Sequence, residues 1–460
     1  SSHWPIFVMG NFNALINLLL PLVLVRIFDP EEMGLYKIFF LYVGLIPFFT
    51  MTAGILTSVY YWVGDKVNFP KLSSAIWQLI FTFSLAAVLP IFLILLFLLK
   101  DQNLSHLDIA LITFSSLLAA PSALYGEYAM ASGRSVRSLI LGTSFEIIKV
   151  IGFVFIAYQW RDIKYIFYYY SLMMLGSFIF MNTLAYQEGA FHFKREKESW
   201  KKALDYSFPI SLSAALVMII EKADQLILAT FLSTTDYAFY TLGCLVVPTI
   251  LILESSIQKK LIPHLSSLYQ KQEILRMREE LKKAIENIAF LTIPSIFGLI
   301  LYSDVIVEIL YTKEYQEAGL FLRVFALSYF MYLIPHDSLL RSTGQTKILL
   351  KINIAFAILS LLIILLSSYL SSAPVTLGVS IILKIAYRAY LLKKSCSVVG
   401  IPFLSLYSGP KLQIYLAFSA ILSALCWWAN QFFDKPLMAF LINGGLFALV
   451  YLTVLKKIKI

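Results

Sequence analysis

The chain has 460 residues, of which 59% are hydrophobic and only 14% charged, with a mean hydropathy of +0.79. A soluble globule carries about a quarter charged residues, so that class is excluded. The formal net charge of +10 does not mark a nucleic-acid surface, because most basic residues fall between apolar blocks and no basic face with interleaved aromatics stands out.

In chain order, apolar spans are predicted over residues 5–25, 36–62, 74–99, 108–131, 139–159, 165–187, 206–231, 238–258, 285–303, 318–340, 350–370, 375–392, 411–430 and 436–455. Most are close to 20 residues long, the length that crosses a hydrocarbon core ~30 Å thick. Short polar connectors separate them, such as Asp29-Pro30-Glu31-Glu32, Gly133-Arg134-Ser135 and Arg161-Asp162. Backbone amides inside a bilayer have no water to bond, so the spans are helices or a closed barrel. The ~10-residue alternation of barrel strands is absent. The expected fold class is therefore an all-α integral membrane protein of about fourteen spans. A stretch from Glu273 to Lys283 is amphipathic and is expected to lie on the membrane surface or to serve as a solvated connector. The sequence opens at Ser1 without an initiator methionine, so a natural N-terminus different from this one is expected, and no cleavable signal pattern is present.

Orientation follows from the connectors. With the first span starting in the cytoplasm, and with Lys37, Lys351 and Lys411 at span ends counted with their connectors, the even-numbered connectors and the C-terminus hold 25 Lys/Arg and the odd-numbered ones hold 7. The positive-inside rule then places both termini in the cytoplasm. The chain also resembles itself. Asp29 to Tyr36 matches the stretch ending at Tyr240 at an offset of 204, and Ala131-Ser-Gly133-Arg134 matches Ser342-Thr-Gly344-Gln345 at an offset of 211. Six spans per repeat return the chain to the same side, which implies parallel repeats. The expected organisation is a first lobe over 1–187, a cytoplasmic linker over 188–205, a second lobe over 206–392 and a terminal helix pair over 393–460.

At these residues the sequence resembles the polysaccharide-transporter branch of the multidrug/oligosaccharidyl-lipid/polysaccharide (MOP) exporter superfamily. Glu221-Lys-Ala-Asp224 with its following aliphatic run and Tyr237-Ala-Phe-Tyr240 is similar to that family's seventh helix. Arg26 to Tyr36 resembles the turn after its first helix, and Val305 to Ala318 with Ser342-Thr-Gly344 its ninth-to-tenth helix region. Ala238 stands where the family usually has Gly, and Thr312-Lys313 where a Gly is common. The resemblance implies two six-helix lobes around a central cavity, alternating access and sugar-lipid substrates.

A charge at mid-bilayer costs about 2.5–3.5 kcal/mol on the insertion scale and is functional by default. Glu146 and Lys149 share a face of span 5, and Glu221, Lys222 and Asp224 lie in span 7. Glu127, Glu254, Arg323, Lys384 and Arg388 lie in other spans, while Arg26 and Lys37 bracket the first outward turn. The structural reading of Glu146–Lys149 is an ion pair that locks a helix. Arg26, Lys37 and Arg388 taken singly fit snorkelling to headgroups. Asn13 and Asn17, one helical turn apart on span 1, are either cavity lining or packing glue. In the functional reading, Lys149 and Lys222, with Arg26, Lys37 and Arg323, bind an anionic headgroup. Glu221, Asp224 and Glu146 then take a coupling cation, H+ or Na+.

The function expected on this reading is a flippase for polyprenyl-pyrophosphate-linked oligosaccharide units, serving O-antigen or capsule assembly in a bacterial inner membrane. Its partners are that lipid-linked substrate, the coupling cation, membrane lipids and other polysaccharide-assembly proteins, with no nucleic acid. A peptidoglycan lipid flippase and a multidrug cation antiporter share the fold and stand as alternatives. A glycan polymerase or ligase is a different class, against which the short outer connector around 304–317 counts. No cofactor, metal or enzymatic activity is expected. Walker A, dinucleotide and hydrolase motifs are absent, the five histidines lack ligand spacing, and Cys244, Cys396 and Cys426 are far apart. His336-Asp337 fits a cap or packing pair better than a proton relay.

Overall fold

The computed structural model describes residues 4–62, 68–192, 196–336, 338–343 and 345–457. In chain order the α-helices are α1 (Trp4–Leu24), α2 (Pro30–Phe49), α3 (Thr52–Thr57), α4 (Val59–Trp62), α5 (Phe69–Leu98), α6 (His106–Ala131), α7 (Ser135–Trp160), α8 (Ile163–Gln187), α9 (Lys197–Phe231) and α10 (Thr234–Gly243). They continue with α11 (Pro248–Gln270), α12 (Ile274–Leu301), α13 (Ser303–Leu310), α14 (Ala318–Phe325), α15 (Ser338–Ser342), α16 (Thr346–Leu370), α17 (Ala373–Val399), α18 (Pro410–Asn430), α19 (Pro436–Ala439) and α20 (Gly445–Lys457). Among the described residues, twelve helical segments are long and apolar enough to cross a membrane, and α10 with α11, bent by 56°, makes a thirteenth. Helix α1 stands where the first span is predicted. The chain is a multi-pass, all-helical membrane protein.

Four predicted spans are not single helices. Span 2 breaks after Pro47, where Met51 adopts a left-handed conformation with φ 63°. Hydroxyls bond the carbonyls at this helix end: Thr50 Oγ1 donates to Ile46 O at 3.0 Å, which also accepts from Thr50 N, and Thr52 Oγ1 donates to Pro47 O at 3.1 Å. Span 8 bends between α10 and α11. Span 10 passes through a 3₁₀ segment, Ala326–Leu333, and span 14 through a π-helical turn, Phe440–Gly444. The predicted amphipathic segment is no separate surface element. Residues from Ile274 onward form the first turns of α12, because Met277, Leu281, Ile285 and Ile288 continue one buried stripe at helical spacing into the span.

The two repeats share their turns. Asp29 caps α2 by accepting from Glu32 N at 2.9 Å. At the offset of 204, Ser233 accepts from Asp236 N at 3.1 Å at the start of α10. Arg134 N bonds Ala129 O at 2.8 Å and Ser132 N bonds Tyr128 O at 2.9 Å; 211 residues later Gln345 N bonds Leu340 O at 2.9 Å and Thr343 N bonds Leu339 O at 3.0 Å. Gly344 itself lies outside the described residues. A third match escapes sequence inspection. Gly189 and Gly400 both have positive φ, 69° and 84°, and each is followed by a five-residue back-bond, Ala190 N to Ala185 O and Ile401 N to Cys396 O, both 2.9 Å. These are left-handed helix stops, where glycine carries no Cβ penalty.

By contacts the chain divides into two compact units, residues 1–238 and 239–460. In the first, Trp77, Tyr125, Leu124 and Ile80 form a core at the packed ends of α5, α6 and α8. Helix α9 packs on α2, α3 and α5 of the same unit. Its contact with α3 is backbone-close, since a Cβ on Gly54 would sit 2.3 Å from Ser211 Cα. Gln102 also donates to Ala229 O and Leu232 O at 2.9 and 3.0 Å. In the second unit, Leu281, Ile285, Leu392, Leu406 and Tyr415 belong to one core. Large apolar side chains stay exposed along several spans, among them Leu85, Ile151, Leu172, Leu362 and Ile382. In water such a surface would drive aggregation; in a bilayer it is the lipid face.

Candidate functional site

The expected charge pair on α7 is joined by α1. Lys149 Nζ lies 2.5 Å from Glu146 Oε2, and Lys149 donates to Asn17 Oδ1 at 3.2 Å. Asn17 closes the ring by donating to Glu146 Oε2 at 3.2 Å, and also donates to Asn13 O at 3.0 Å. The side chains of Lys149 and Glu146 are only 14% and 30% exposed. The three-residue spacing on α7 brings the charges to one face, and one amide serves both of them.

An aromatic wall built from α2, α7 and α8 lies in the same unit. Tyr170 stands edge-on to Phe40 at 4.9 Å and to Phe153 at 6.2 Å, and Phe153 stands edge-on to Tyr36 at 6.5 Å. Gly152 lets α8 close in: a Cβ there would fall 2.2 Å from the Tyr169 ring, whose hydroxyl donates to Ile148 O at 3.0 Å.

The second candidate group sits on α9. Asp224 is buried, whereas Glu221 and Lys222 are half-buried. Lys222 donates to Gln225 Oε1 at 3.1 Å, and the Gln225 carbonyl accepts from Tyr237 at 3.3 Å. Arg26 follows the C-terminal end of α1, is exposed and donates to Leu22 O. Lys37 is half-buried on α2. Seven of the eight candidate residues thus fall in the unit 1–238, and Arg323 falls in the other. There Arg323 is paired with Asp304 at 2.7 Å and donates to Ser303 Oγ at 3.2 Å, with both charged side chains about half exposed. Arg388, assigned above to headgroup snorkelling, is instead buried, with its guanidinium 5.4 Å over the Tyr332 ring and a bond to Met331 O at 3.5 Å. Asp337 and His3 lie outside the described residues.

One polar cluster has no counterpart in the sequence reading. Glu188, at the end of α8, accepts from Tyr125 Oη at 2.8 Å and pairs with both Arg134 and Arg137 at the α6–α7 turn. The Arg-x-x-Arg spacing is visible in sequence. Its acidic partner lies more than 50 residues away, so no local pattern announces it.

A family model described as "Polysaccharide biosynthesis protein" matches residues 23–319. The chain belongs to this family. One relative is the capsular polysaccharide biosynthesis protein CapF of Staphylococcus aureus, 22% identical over 84% of this chain and 98% of its own. The fold is similar to that of the lipid II flippase MurJ in an inward closed conformation, with a TM-score of 0.72 at 15% identity over 97% of this chain and 96% of that one. It is also similar to an inward-facing multidrug resistance MATE family transporter of the MOP superfamily, with a TM-score of 0.65 at 12% identity over 84% and 94% of the two chains. The family match covers Glu221 to Tyr240 and the turn after α1, the residues from which the polysaccharide-transporter resemblance was drawn, and the fold is the one expected from it.

Proposed function

We propose that the protein is a flippase that moves polyprenyl-pyrophosphate-linked oligosaccharide units from the cytoplasmic to the outer leaflet by alternating access, for O-antigen or capsule assembly. The observation that carries this reading is the Asn17–Glu146–Lys149 network. It holds an acidic and a basic side chain within α7, a helix apolar enough to cross a membrane, in a chain of the polysaccharide biosynthesis family. An oligosaccharide bears many hydroxyls, and desolvating each without a partner costs a few kcal/mol, so unassisted flipping is negligible. A hydrated, hydrogen-bonding path removes most of that barrier.

In this reading Lys149 and Lys222 hold the pyrophosphate, assisted by Arg26, Lys37 and Arg323. Outward movement of negative charge against an inside-negative potential is favourable by ~2.3 kcal/mol per charge per 100 mV. Glu221, Asp224 and Glu146 take an inward-moving cation that resets the carrier. The excess of basic residues in alternate connectors supports a bacterial cytoplasmic membrane with both termini inside. The family's description in polysaccharide biosynthesis favours a glycan substrate over a drug cation, and the likeness in fold to a lipid II flippase and a multidrug transporter supports a carrier in place of a polymerase or ligase.

The test is reconstitution into vesicles with a defined lipid-linked oligosaccharide, its translocation followed by accessibility to an external glycosidase. Lys149→Ala and Lys222→Ala are each expected to abolish flipping; full activity in both would sink the site assignment. Parallel vesicles with a lipid-linked peptidoglycan precursor distinguish the two lipid flippases.

A further inference from the structure

The Glu188 cluster closes one end of α6, α7 and α8, each of them long and apolar enough to cross a membrane. Arg134 and Arg137 reach Glu188 through Nη1, one on each carboxylate oxygen, and Tyr125 donates to Oε1 at 2.8 Å. The guanidinium of Arg134 lies 5.5 Å over the Tyr128 ring and that of Arg137 lies 5.7 Å over Tyr125. Carboxylate and rings together hold both planar groups in place. The two arginine side chains are still 38% and 48% exposed, and their Nε and Nη2 atoms bond to no other group among the described residues.

The second repeat closes the same corner without these charges. At the offset of 211, Arg134, Arg137 and Glu188 correspond to Gln345, Ile348 and Val399. The back-bonds to Ala129 O and Ala185 O nevertheless recur at Leu340 O and Cys396 O. Stopping the helices therefore does not account for the cluster.

Arg137 also stands at the foot of an apolar face. Ile140, Ile148, Ile151 and Phe155 follow it on α7, are all exposed, and fall within about a sixth of a turn of its direction at 3.6 residues per turn. From Arg137 to Ile148 the helix rises about 16 Å, the depth of one hydrocarbon leaflet. An anion held by the arginines thus has alkyl-chain contact beside it. Two guanidiniums and one carboxylate leave one positive charge. Glu127 lies on α6 between Tyr125 and Tyr128 in sequence, so it takes another face, and Glu188 is the acid that pairs with the arginines. One positive charge matches a phosphodiester, which carries one negative charge. A pyrophosphate carries about two, and in the reading above other residues hold it.

We propose that Arg134 and Arg137 bind the phosphodiester headgroup of an anionic membrane phospholipid whose acyl chains lie along the exposed face of α7. Glu188 is the positioning residue that orients the two guanidiniums and trims their charge to one. The inference needs only a membrane-spanning chain and stands apart from the flippase reading.

The experiment places the purified full chain in phosphatidylcholine nanodiscs with a trace of phosphatidylglycerol carrying a diazirine on one acyl chain, and maps the labelled peptides. Labels over residues 140–155 are expected to exceed those from the same diazirine on phosphatidylcholine by about fivefold or more. Arg134→Gln with Arg137→Ile and Glu188→Val copies the second repeat and strands no charge. It should keep its helical spectrum and lose about fivefold in that label, equivalent to about 1 kcal/mol. Lys393→Gln, at an exposed lysine of α17, changes the net charge by the same amount and should leave the label unchanged. Should the triple variant misfold, Arg137→Gln reads the same loss from a half-exposed side chain. Glu188→Gln keeps an acceptor oxygen but adds one positive charge, so labelling by phosphatidic acid, which can carry a second negative charge, should rise relative to phosphatidylglycerol. Excess phosphatidylglycerol should displace the label and inorganic phosphate should not. No excess over phosphatidylcholine, equal loss in Lys393→Gln, full labelling of a folded arginine variant, an unchanged lipid ratio in Glu188→Gln, or displacement by inorganic phosphate would each overturn the proposal.

Discussion

The Glu146–Lys149 pair permits a double-mutant cycle that separates its contribution to stability from its part in transport. Lys149→Met removes the cation and leaves Glu146 with Asn17 as its hydrogen-bond donor within a span. Exposed ion pairs contribute about 0.2–1 kcal/mol, whereas breaking a fully buried one costs about 3–5 kcal/mol. With side chains 14% and 30% exposed and a separation of 2.5 Å, this pair falls between, so Lys149→Met should destabilise by about 2 kcal/mol. Glu146→Gln should cost about 1 kcal/mol, since Lys149 keeps Asn17 Oδ1 at 3.2 Å. The double variant strands no charge, so it should be more stable than the sum of the two losses allows, with a coupling of about 1–2 kcal/mol. Unfolding of purified protein in mixed dodecyl-sulfate micelles, followed by circular dichroism, measures all four corners. Additivity within about 0.5 kcal/mol would show that the charges do not feel each other and would refute the geometry argument.

Three further outcomes follow from individual contacts. Gly34→Ala should sharply lower the yield of monodisperse protein, because its Cβ would stand 1.8 Å from the Thr234 carbonyl oxygen and backbone cannot rotate away; a normal yield and melting temperature would contradict that packing. Ser105→Ala removes one half of a capping box in which Ser105 and Asp108 each accept from the other's amide, at 3.2 and 2.9 Å. Its expected cost is about 1 kcal/mol in the same unfolding assay. Asp304→Asn frees Arg323 from a pair that is half exposed, so stability should change by less than about 1 kcal/mol, and a larger loss would mean the pair is shielded from water.

Much of the fold was legible because a bilayer leaves the chain few choices. Hydrocarbon thickness sets span length and forces the backbone to bond to itself, so the predicted ranges fall on helices, although α9 already starts at Lys197, α11 runs on to Gln270 and α12 starts at Ile274, well beyond the apolar stretches. Interruptions inside spans were not legible. Pro47 signals the break after α2, but Pro21, Pro90 and Pro121 lie inside continuous helices, so proline alone does not tell where a span will break. The candidate site was legible in part. The spacing of Glu146 and Lys149 gives their shared face. The choice of Asn17 as their bridge depends on how α1 packs against α7, which no local pattern encodes. The same applies to Glu188, whose two arginines come from a turn brought close only by the packing of α6, α7 and α8.

The internal repeat separates what the fold requires from what it merely carries. Helices α7 and α16 begin 211 residues apart and follow turns with the same back-bonds. The turns persist because left-handed stops and helix caps satisfy backbone groups that both repeats must satisfy. The charges do not persist. At the same offset, Glu146 and Lys149 correspond to Ala357 and Ser360, both almost fully buried in α16. A helix in this register therefore packs without an ion pair, and the pair in α7 is an addition to the scaffold. Copying the second repeat into the first, as Glu146→Ala with Lys149→Ser, removes both charges together and strands neither. The variant should fold, with a helical spectrum and elution profile like those of the unaltered protein, and should flip no lipid-linked oligosaccharide in reconstituted vesicles. Failure to fold would make the pair a structural lock between α1 and α7. Full transport by a folded variant would remove Lys149 from the anion path.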